Sequence, residues 1–197
     1  MSKKTFGCNG NTIRLRSGRY FDLADPRPEQ FTMRDIAGAL SKICRFGGQI
    51  NDFYSVAEHC VNCAAVAKRD GQSLEVQQWA LLHDAAEAFT GDIVKPLKIM
   101  LTDFSAIENA IEDAILKKFG IDTKDILWTD VLDVVREIDN AMLICEKRQL
   151  FTRDETPWAG EGEVRELSVK VKRWMPPQAE AEFLDRCGMI ELPVMEC

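Results

Sequence analysis

Long apolar runs are absent from this sequence. No uninterrupted apolar stretch approaches the roughly 20 residues that a membrane-spanning helix requires. The N-terminal residues MSKKTFGCNG contain two lysines with no apolar segment behind them, so they lack the pattern of a secretory signal. We therefore predict a cytoplasmic protein that has no membrane partner.

Clustered positive charge is also missing. The 197 residues include 25 lysines and arginines against 32 aspartates and glutamates, which gives a formal net charge of −7 at pH 7. Binding to a nucleic-acid backbone depends on clustered basic side chains, so we expect no nucleic-acid partner. A small anion can still bind in a local basic pocket.

Several catalytic motifs are not found in the chain. The sequence has no G-x-x-x-x-G-K-[ST] loop, no H-E-x-x-H and no P-C-x-x-C. The first absence disfavours ATP-driven work, because that loop cradles the phosphates of ATP. The other two exclude a zincin and a zinc deaminase.

The cysteines form no regular disulfide framework. Their number is odd, and a chain of this length folds without disulfide staples, so we expect reduced thiols. Cys60 and Cys63 match C-x-x-C, a spacing found in zinc knuckles and redox pairs. No second C-x-x-C or C-x-x-H follows, and on a helix both thiols share an apolar stripe, which favours buried packing. The seven cysteines are Cys8, Cys44, Cys60, Cys63, Cys145, Cys187 and Cys197.

Helical patterns account for most of what is present. Apolar residues at three- and four-residue spacing predict helices over residues 32–44, 55–67, 74–89, 103–119 and 130–151, with Thr129 as the cap of the last. A short helix is expected after Pro176 and Pro177. Residues 11–23 alternate apolar and polar side chains about Gly18, which predicts a small β-hairpin.

One all-α domain of six or seven helices is the fold that these patterns predict, because the chain is long enough for one substantial core. The core would span about residues 32–151, with the hairpin at its edge and a C-terminal helix and tail over residues 152–197. Ser55 and Glu58 have the S-x-x-E spacing of a capping box at the start of one helix. This places His59 in the first two turns of that helix.

The sequence has only two histidines, and both lie in apolar helical stretches. A lone histidine there is more often an ordinary core residue, but Asp84 follows His83 directly and Asp139 lies among the apolar residues of a third helix. Burying an uncompensated carboxylate is costly, and a divalent cation would compensate it. We therefore predict a mixed nitrogen and oxygen metal site formed by His59, His83, Asp84 and Asp139. Glu87 is four residues after His83, which would place it above the edge of that site.

These residues carry a resemblance to a known family. The order H…HD…D on successive helices resembles the HD superfamily of metal-dependent phosphohydrolases. The string HDAAEAFTGDIVKPLK, residues 83–98, is similar to the 5′-deoxynucleotidase branch and to its viral relatives, among them phage dATP triphosphohydrolases. The resemblance covers about residues 36–98 and extends more thinly to Asp139. It implies an HD-domain helical bundle around the metal.

The resemblance also implies roles for individual residues. It makes His59, His83, Asp84 and Asp139 the ligands of one divalent ion, which could be Co, Mn, Zn, Fe or Mg, and a triphosphate substrate could bring a second ion. Asp84 would thus be catalytic as well as a ligand, and Glu87 would be the acid-base residue.

Further positions match the substrate contacts of the family. Asp92 matches the position that hydrogen-bonds the deoxyribose, and Arg45 matches a phosphate-binding arginine. The nucleotidases have an Arg-Trp pair where this chain has Arg45 and Phe46, so Phe46 puts recognition of the sugar in question. Lys98, and less strongly Lys95, could supply positive charge to phosphates or be plain solvated side chains.

The function that follows is hydrolysis of a deoxynucleotide by attack at the α-phosphate. A monophosphate would give nucleoside and phosphate, and a triphosphate such as dATP would give nucleoside and triphosphate. Two alternatives stay open: a phosphohydrolase of a signalling nucleotide, although the G-Y-P signature of the cyclic-dinucleotide branch is absent, and a nucleotide-sensing or interaction protein without turnover. The resemblance also implies a homo-oligomer.

Overall fold

Helices dominate the computed structural model, which describes residues 10–121, 128–153 and 155–194. In these ranges it contains seven α-helices of at least six residues, one helical turn of four residues and one two-stranded antiparallel sheet. The prediction of a mainly helical fold with a small hairpin is confirmed. None of the helices in these ranges combines the length and apolar character needed to cross a lipid bilayer.

The hairpin pairs strand β1, Thr12–Arg14, with strand β2, Tyr20–Asp22. Gly18 has a φ of 86° in the turn between them, a value that glycine adopts without a steric penalty. Phe21 is fully buried, and its ring stacks on Phe89 with the centroids 3.9 Å apart. The hairpin therefore covers one edge of the helical core.

The metal-site candidates lie on helix α2, Val56–Arg69, in the turn that follows helix α3, Leu74–Leu82, and on helix α7, Trp128–Leu150. Helix α2 packs against α3, α7 and α8, and α3 packs against the same α7 and α8. Most residues of α2 are buried, so it lies inside the molecule rather than on its surface. The helices are α1 Met33–Leu40, α2 Val56–Arg69, α3 Leu74–Leu82, α4 Glu87–Thr90, α5 Lys95–Met100, α6 Phe104–Phe119, α7 Trp128–Leu150 and α8 Pro176–Met189.

Two helix ends differ from the sequence prediction, and a third agrees with it. Helix α1 stops at Leu40, before residue 44, because Cys44 is drawn into an isolated β-bridge with Ser55. Helix α7 begins no later than Trp128, so Thr129 lies within the helix and does not cap it. Helix α6 ends as predicted, with Gly120 in the left-handed conformation at a φ of 68°.

The predicted continuous helix over residues 74–89 is wrong. Helix α3 ends at Leu82, and the next turns have the shorter 3-10 pattern, with Ala85 N–H donating to Leu82 O at 2.8 Å and Glu87 N–H to Asp84 O at 3.0 Å. Helix α4 resumes at Glu87. The tightened turn contains His83 and Asp84, which are adjacent to the other metal-site candidates.

The cysteines within the described ranges are free thiols, which confirms the prediction of reduced cysteines for them. Cys60 and Cys63 are both fully buried in α2, as the apolar stripe predicted. Cys8 and Cys197 lie outside the described residues. The free cysteines are Cys44, Cys60, Cys63, Cys145 and Cys187.

Glu58 does not complete the predicted capping box. The Ser55 side chain accepts the N–H of Glu58 at 3.1 Å, but the Glu58 carboxylate turns instead to the C-terminal part of the chain. It accepts the backbone N–H groups of Lys172 at 2.6 Å, Arg173 at 3.0 Å and Trp174 at 2.6 Å. These three bonds hold the segment that leads into α8, and α8 in turn packs on α1 and α2.

Replacing Glu58 with glutamine should therefore destabilise the fold. The glutamine amide has one carbonyl oxygen for the three N–H groups, and its own NH₂ group faces at least one of them. At least one of these N–H groups therefore loses its acceptor. Such a loss costs about 1–3 kcal/mol, which corresponds to a fall in Tm of roughly 2–10 °C for a chain of this size. Thermal unfolding followed by circular dichroism measures this change.

The matched control is Glu29→Gln, since the side chain of Glu29 is 69% exposed. Its effect on the unfolding free energy should stay within about 0.5 kcal/mol. Equal Tm values for the two variants would show that the three backbone bonds to Glu58 add nothing to stability.

Candidate metal centre

Four side chains from α2, the α3–α4 turn and α7 converge on one point. His59 Nε2 lies 3.2 Å from His83 Nε2, 3.6 Å from Asp84 Oδ2 and 3.1 Å from Asp139 Oδ1. His83 Nε2 lies 3.5 Å from Asp84 Oδ2 and 3.8 Å from Asp139 Oδ1. The structure thus brings together the four residues that the sequence analysis selected as metal ligands.

Hydrogen bonds fix which ring nitrogen of each histidine faces this point. His59 Nδ1 is 2.6 Å from Glu146 Oε1, and His83 Nδ1 is 3.0 Å from the carbonyl oxygen of Ala80. Because both partners are acceptors, each Nδ1 is the protonated nitrogen that donates. When the rings are neutral, each Nε2 is left with a free lone pair, which is the arrangement of imidazoles that bind metals in proteins.

Cys63 offers a second combination of donors. The ligand atoms of His59, Cys63 and His83 lie within 4.8 Å of one another, so these three residues form a group that can hold a metal ion. Burial raises the pKa of the Cys63 thiol to about 11. The thiol must therefore lose a strongly held proton before it can act as a ligand, whereas the carboxylates of Asp84 and Asp139 have pKa values below the ordinary one and are already charged.

The charges around the two imidazoles fit a divalent cation. Asp84, Asp139 and Glu146 supply three carboxylates within 4 Å of His59, and Arg45 supplies one guanidinium. This leaves two negative charges uncompensated when both imidazoles are neutral. A cation of charge two would bring the group to neutrality, which is what burial favours.

The pKa values of the imidazoles reflect the same deficit of positive charge. Burial lowers the pKa of His59 and Arg45 lowers it further, but Cys63, Glu146 and Asp139 outweigh both and leave it well above the ordinary value. Burial also lowers the pKa of His83, and Asp84 and Asp139 raise it beyond that loss. Two protons on the imidazoles would supply the charge that a divalent ion supplies.

The spacing of the donor atoms fits the same interpretation. Ligands bound to one ion at about 2.0–2.2 Å have neighbouring donor atoms about 3.0–3.5 Å apart. The contacts of His59 Nε2 with His83, Asp84 and Asp139 span 3.1–3.6 Å. Asp139 is the most accessible of the four, with 36% of its side chain exposed, so the site opens to solvent on that side.

Glu87 is a buried carboxyl group beside these ligands. Burial, followed by the charges of Asp84 and Asp92, raises its pKa to about 9, so the group is protonated at neutral pH. Its Oε2 atom is buried and has no hydrogen-bond partner among the described residues. The position of Glu87 is set by helix α4, which begins at this residue, and not by a continuous helix that runs from His83.

Arg45 and Phe46 lie in a 3-10 segment, Arg45–Gly48, next to the ligands. Arg45 Nη1 is 3.1 Å from Asp84 Oδ2, which places the guanidinium next to one of the predicted metal ligands. Phe46 has a φ of 60°, a left-handed conformation that is strained for a bulky residue and that clusters at functional sites. Its ring packs against Phe151 and Trp158, at centroid distances of 5.1 and 6.1 Å.

The remaining predicted contacts differ in how closely they approach the site. Asp92 is half-buried and accepts the backbone N–H of Phe46, so the strained turn and the T-G-D segment are joined. Lys98 is half-buried, and its Nζ is 2.6 Å from Glu108 Oε1. Lys95 is exposed at the start of α5.

Two groups of site residues escaped the sequence analysis. Glu146 and Tyr54 form a buried pair behind His59, with Tyr54 Oη donating to Glu146 Oε1 at 2.7 Å. Glu108 and Glu112 on α6 add acidic groups near Lys98, and burial raises the pKa of Glu112 to about 7. The sequence signal for Glu146 was its position two helical turns after Asp139, which places both on one face of α7.

Comparisons with known proteins identify relatives along most of the chain. YfdR, an uncharacterized protein of Escherichia coli, is 36% identical over 146 residues, which are 74% of this chain and 76% of YfdR. An uncharacterized protein of Rhodobacter capsulatus is 29% identical over 185 residues, 88% of this chain and 92% of that protein. No protein-family model matches the chain.

Proposed function

We propose, from the premise that this chain belongs to the same family as the Escherichia coli protein YfdR, that it is a metal-dependent phosphohydrolase of deoxynucleotides. Its helical core would be an HD domain, in which His59, His83, Asp84 and Asp139 hold one divalent ion. The observation that supports this most is the convergence of these donors, with each histidine Nε2 within 3.8 Å of the other imidazole and of both carboxylates.

The chemistry that such a site supports is hydrolysis of a phosphate ester. A divalent cation held by the four ligands would polarise a phosphoryl oxygen and lower the pKa of a bound water toward neutrality. Arg45 lies next to Asp84 and can bind a phosphate oxygen through its guanidinium. Lys98 can add a second positive charge on the side of α5.

The leaving group requires a proton, and Glu87 is able to supply it. Attack of water at the α-phosphorus forms a new P–O bond and breaks the bond to the nucleoside 5′-oxygen, which leaves with the electron pair. A carboxyl group that is protonated at neutral pH can donate its proton to this oxygen. The proton that the attacking water loses restores the carboxyl group of Glu87, so the products are nucleoside and phosphate. Asp92 would hold the sugar by accepting a hydroxyl hydrogen bond.

The charged side chains around the proposed phosphate position favour a monophosphate as substrate. Arg45 and Lys98 are the cations described there, and each already pairs with an acid, Asp84 or Glu108, at 3.1 and 2.6 Å. Asp92 and Glu112 add further carboxyl groups. A triphosphate brings more negative charge than these two cations can compensate, so its outer phosphates would meet acidic side chains.

A product-resolved assay tests this proposal. Purified full-length protein is given Mn²⁺, Co²⁺, Zn²⁺ or Mg²⁺ and each deoxy- and ribonucleoside mono- and triphosphate, and the products are separated by chromatography. We expect nucleoside and orthophosphate from deoxynucleoside monophosphates, with kcat/KM at least about tenfold higher than for triphosphates, a difference of about 1.4 kcal/mol.

Two outcomes would contradict the proposal. Intact triphosphate as the main product would overturn the preference for monophosphates while leaving the phosphohydrolase in place. Absence of any product, from protein shown to contain stoichiometric metal, would overturn hydrolysis of nucleotides itself and would support the nucleotide-sensing alternative.

A further inference from the structure

Glu146 is a carboxylate enclosed in the protein interior, with none of its side chain exposed. It lies on α7, on the same face as Asp139, and its two oxygens serve different partners. Oε1 accepts from His59 Nδ1 at 2.6 Å and from Tyr54 Oη at 2.7 Å. Oε2 forms an ion pair with Arg45 Nε at 3.3 Å, without the geometry of a hydrogen bond.

The bond to His59 orients a metal-binding ring. An imidazole can turn about its χ angles and can carry its proton on either nitrogen, so a ligand histidine needs a partner on the nitrogen that does not face the ion. Glu146 occupies that position and requires Nδ1 to be the donor. His59 Nε2 is thereby held 3.1 Å from Asp139 and 3.2 Å from His83.

The pairing with Arg45 compensates a positive charge beside the ligands. The Arg45 side chain is only 10% exposed and contacts Asp84 on its other side. Without Glu146, the guanidinium would share Asp84 with the ion and repel it through a medium of low dielectric constant. Glu146 therefore serves the metal site twice, through orientation of His59 and through compensation of Arg45.

Tyr54 is the third partner of this carboxylate. Tyr54 is fully buried, and its hydroxyl accepts from Asn62 Nδ2 at 3.1 Å while donating to Glu146. With this bond, Glu146 Oε1 has two buried hydrogen-bond donors, His59 and Tyr54. The carboxylate is thus held by residues from α2, from the loop before α2 and from the 3-10 segment Arg45–Gly48.

We infer that Glu146 is a positioning residue that sets the affinity of the site for its divalent ion and holds Arg45 in place for the phosphate. The effect on phosphate rests on the proposed function, whereas the effect on metal affinity does not. A purely structural alternative makes Glu146 a buried charge that contributes to stability or specificity of the fold and has no influence on the ion.

Isothermal titration calorimetry with Co²⁺ distinguishes the two. Removal of an outer-shell partner of a ligand histidine weakens metal binding by about 10–100-fold. We expect Glu146→Gln in the full chain to bind Co²⁺ about 10–100-fold more weakly than the wild type, and the visible absorption spectrum of bound Co²⁺ to change. Asp133→Asn is the control, since the side chain of Asp133 is 63% exposed on α7, and its Co²⁺ affinity should stay within about threefold of the wild type.

A second variant keeps the test decisive if Glu146→Gln does not fold. Glu146→Asp keeps the charge but draws the carboxylate back from His59, and we expect Co²⁺ affinity about 3–10-fold below the wild type. Wild-type affinity and an unchanged spectrum in a folded Gln or Asp variant, with only Tm lowered, would overturn the inference. Since Co²⁺ affinity is measured without substrate, this result is separate from any failure of the protein to hydrolyse nucleotides.

Discussion

Replacing Asp84 with alanine is expected to abolish hydrolysis of deoxynucleoside monophosphates while the helical fold is retained. The variant loses one of the two proposed carboxylate ligands, so the site would have less charge to hold the ion that is proposed to activate water. It also leaves Arg45 without its partner at 3.1 Å. We expect kcat/KM to fall by at least about 10³-fold, because activation of water by the ion supplies the nucleophile.

This result is measured with the same chromatographic assay, together with circular dichroism and Co²⁺ titration. Asp133→Ala is the matched control, because Asp133 lies on α7 with 63% of its side chain exposed. The control should keep the activity of the wild type. An Asp84→Ala protein that turns over substrate within about tenfold of the wild type would end the assignment of this site as the hydrolytic centre.

Glu87→Gln is expected to lower kcat for deoxynucleoside monophosphates by about 10²–10⁴-fold, the usual effect of removing a general acid. Glutamine keeps the size of the side chain but has no acidic proton for the 5′-oxygen. KM should change by less than about threefold, since the variant keeps the ligands and Arg45. Steady-state kinetics with a deoxynucleoside monophosphate measures both constants.

A substrate with a better leaving group makes this test specific. Nitrophenolate departs without a proton, so turnover of p-nitrophenyl phosphate by Glu87→Gln should stay within about tenfold of the wild type. Glu137→Gln is the control, with the side chain of Glu137 61% exposed on α7. Equal losses on both substrates would contradict the general-acid role and would indicate that Glu87 contributes in another way, such as to the arrangement of the ligands.

The part of the site that could be predicted from the sequence consists of residues that contradict their surroundings. His59, His83, Asp84 and Asp139 are polar residues within apolar helical patterns, and that contradiction predicts a buried site. The structure confirms that they converge, although their roles as ligands stay a prediction. The positions of the hairpin and of most helices were predictable for a different reason, because hydrophobic periodicity and turn residues are local features of the sequence.

Glu146 was not predictable on these grounds. It is followed by Lys147 and Arg148, and a run of three charged residues on a long helix is typical of a solvated face. Glu146 is nevertheless fully buried, because its side of α7 faces His59, Tyr54 and Arg45. Only the three-dimensional arrangement shows which side of α7 faces these residues.

Glu58 and the end of α3 illustrate two other limits. The S-x-x-E spacing predicts that the Glu58 side chain caps its own helix. Instead, this side chain accepts the N–H groups of residues 172–174. The tightened turn at His83 has no proline or glycine to mark it. Both features arise from long-range packing, which outweighs local preference.

The bonds from Glu58 to residues 172–174 also determine when α2 can be fully covered during protein synthesis. Glu58 and Trp174 are 116 residues apart, and ribosomes add about 5–20 residues per second, so about 6–23 s separate the appearance of the two partners. His59 follows Glu58 directly in α2, a helix that α8 must cover before its surface is buried. The nascent chain therefore exposes the side of α2 that packs on α8 until α8 has emerged, although the partners of His59 in the site are all synthesised by residue 146.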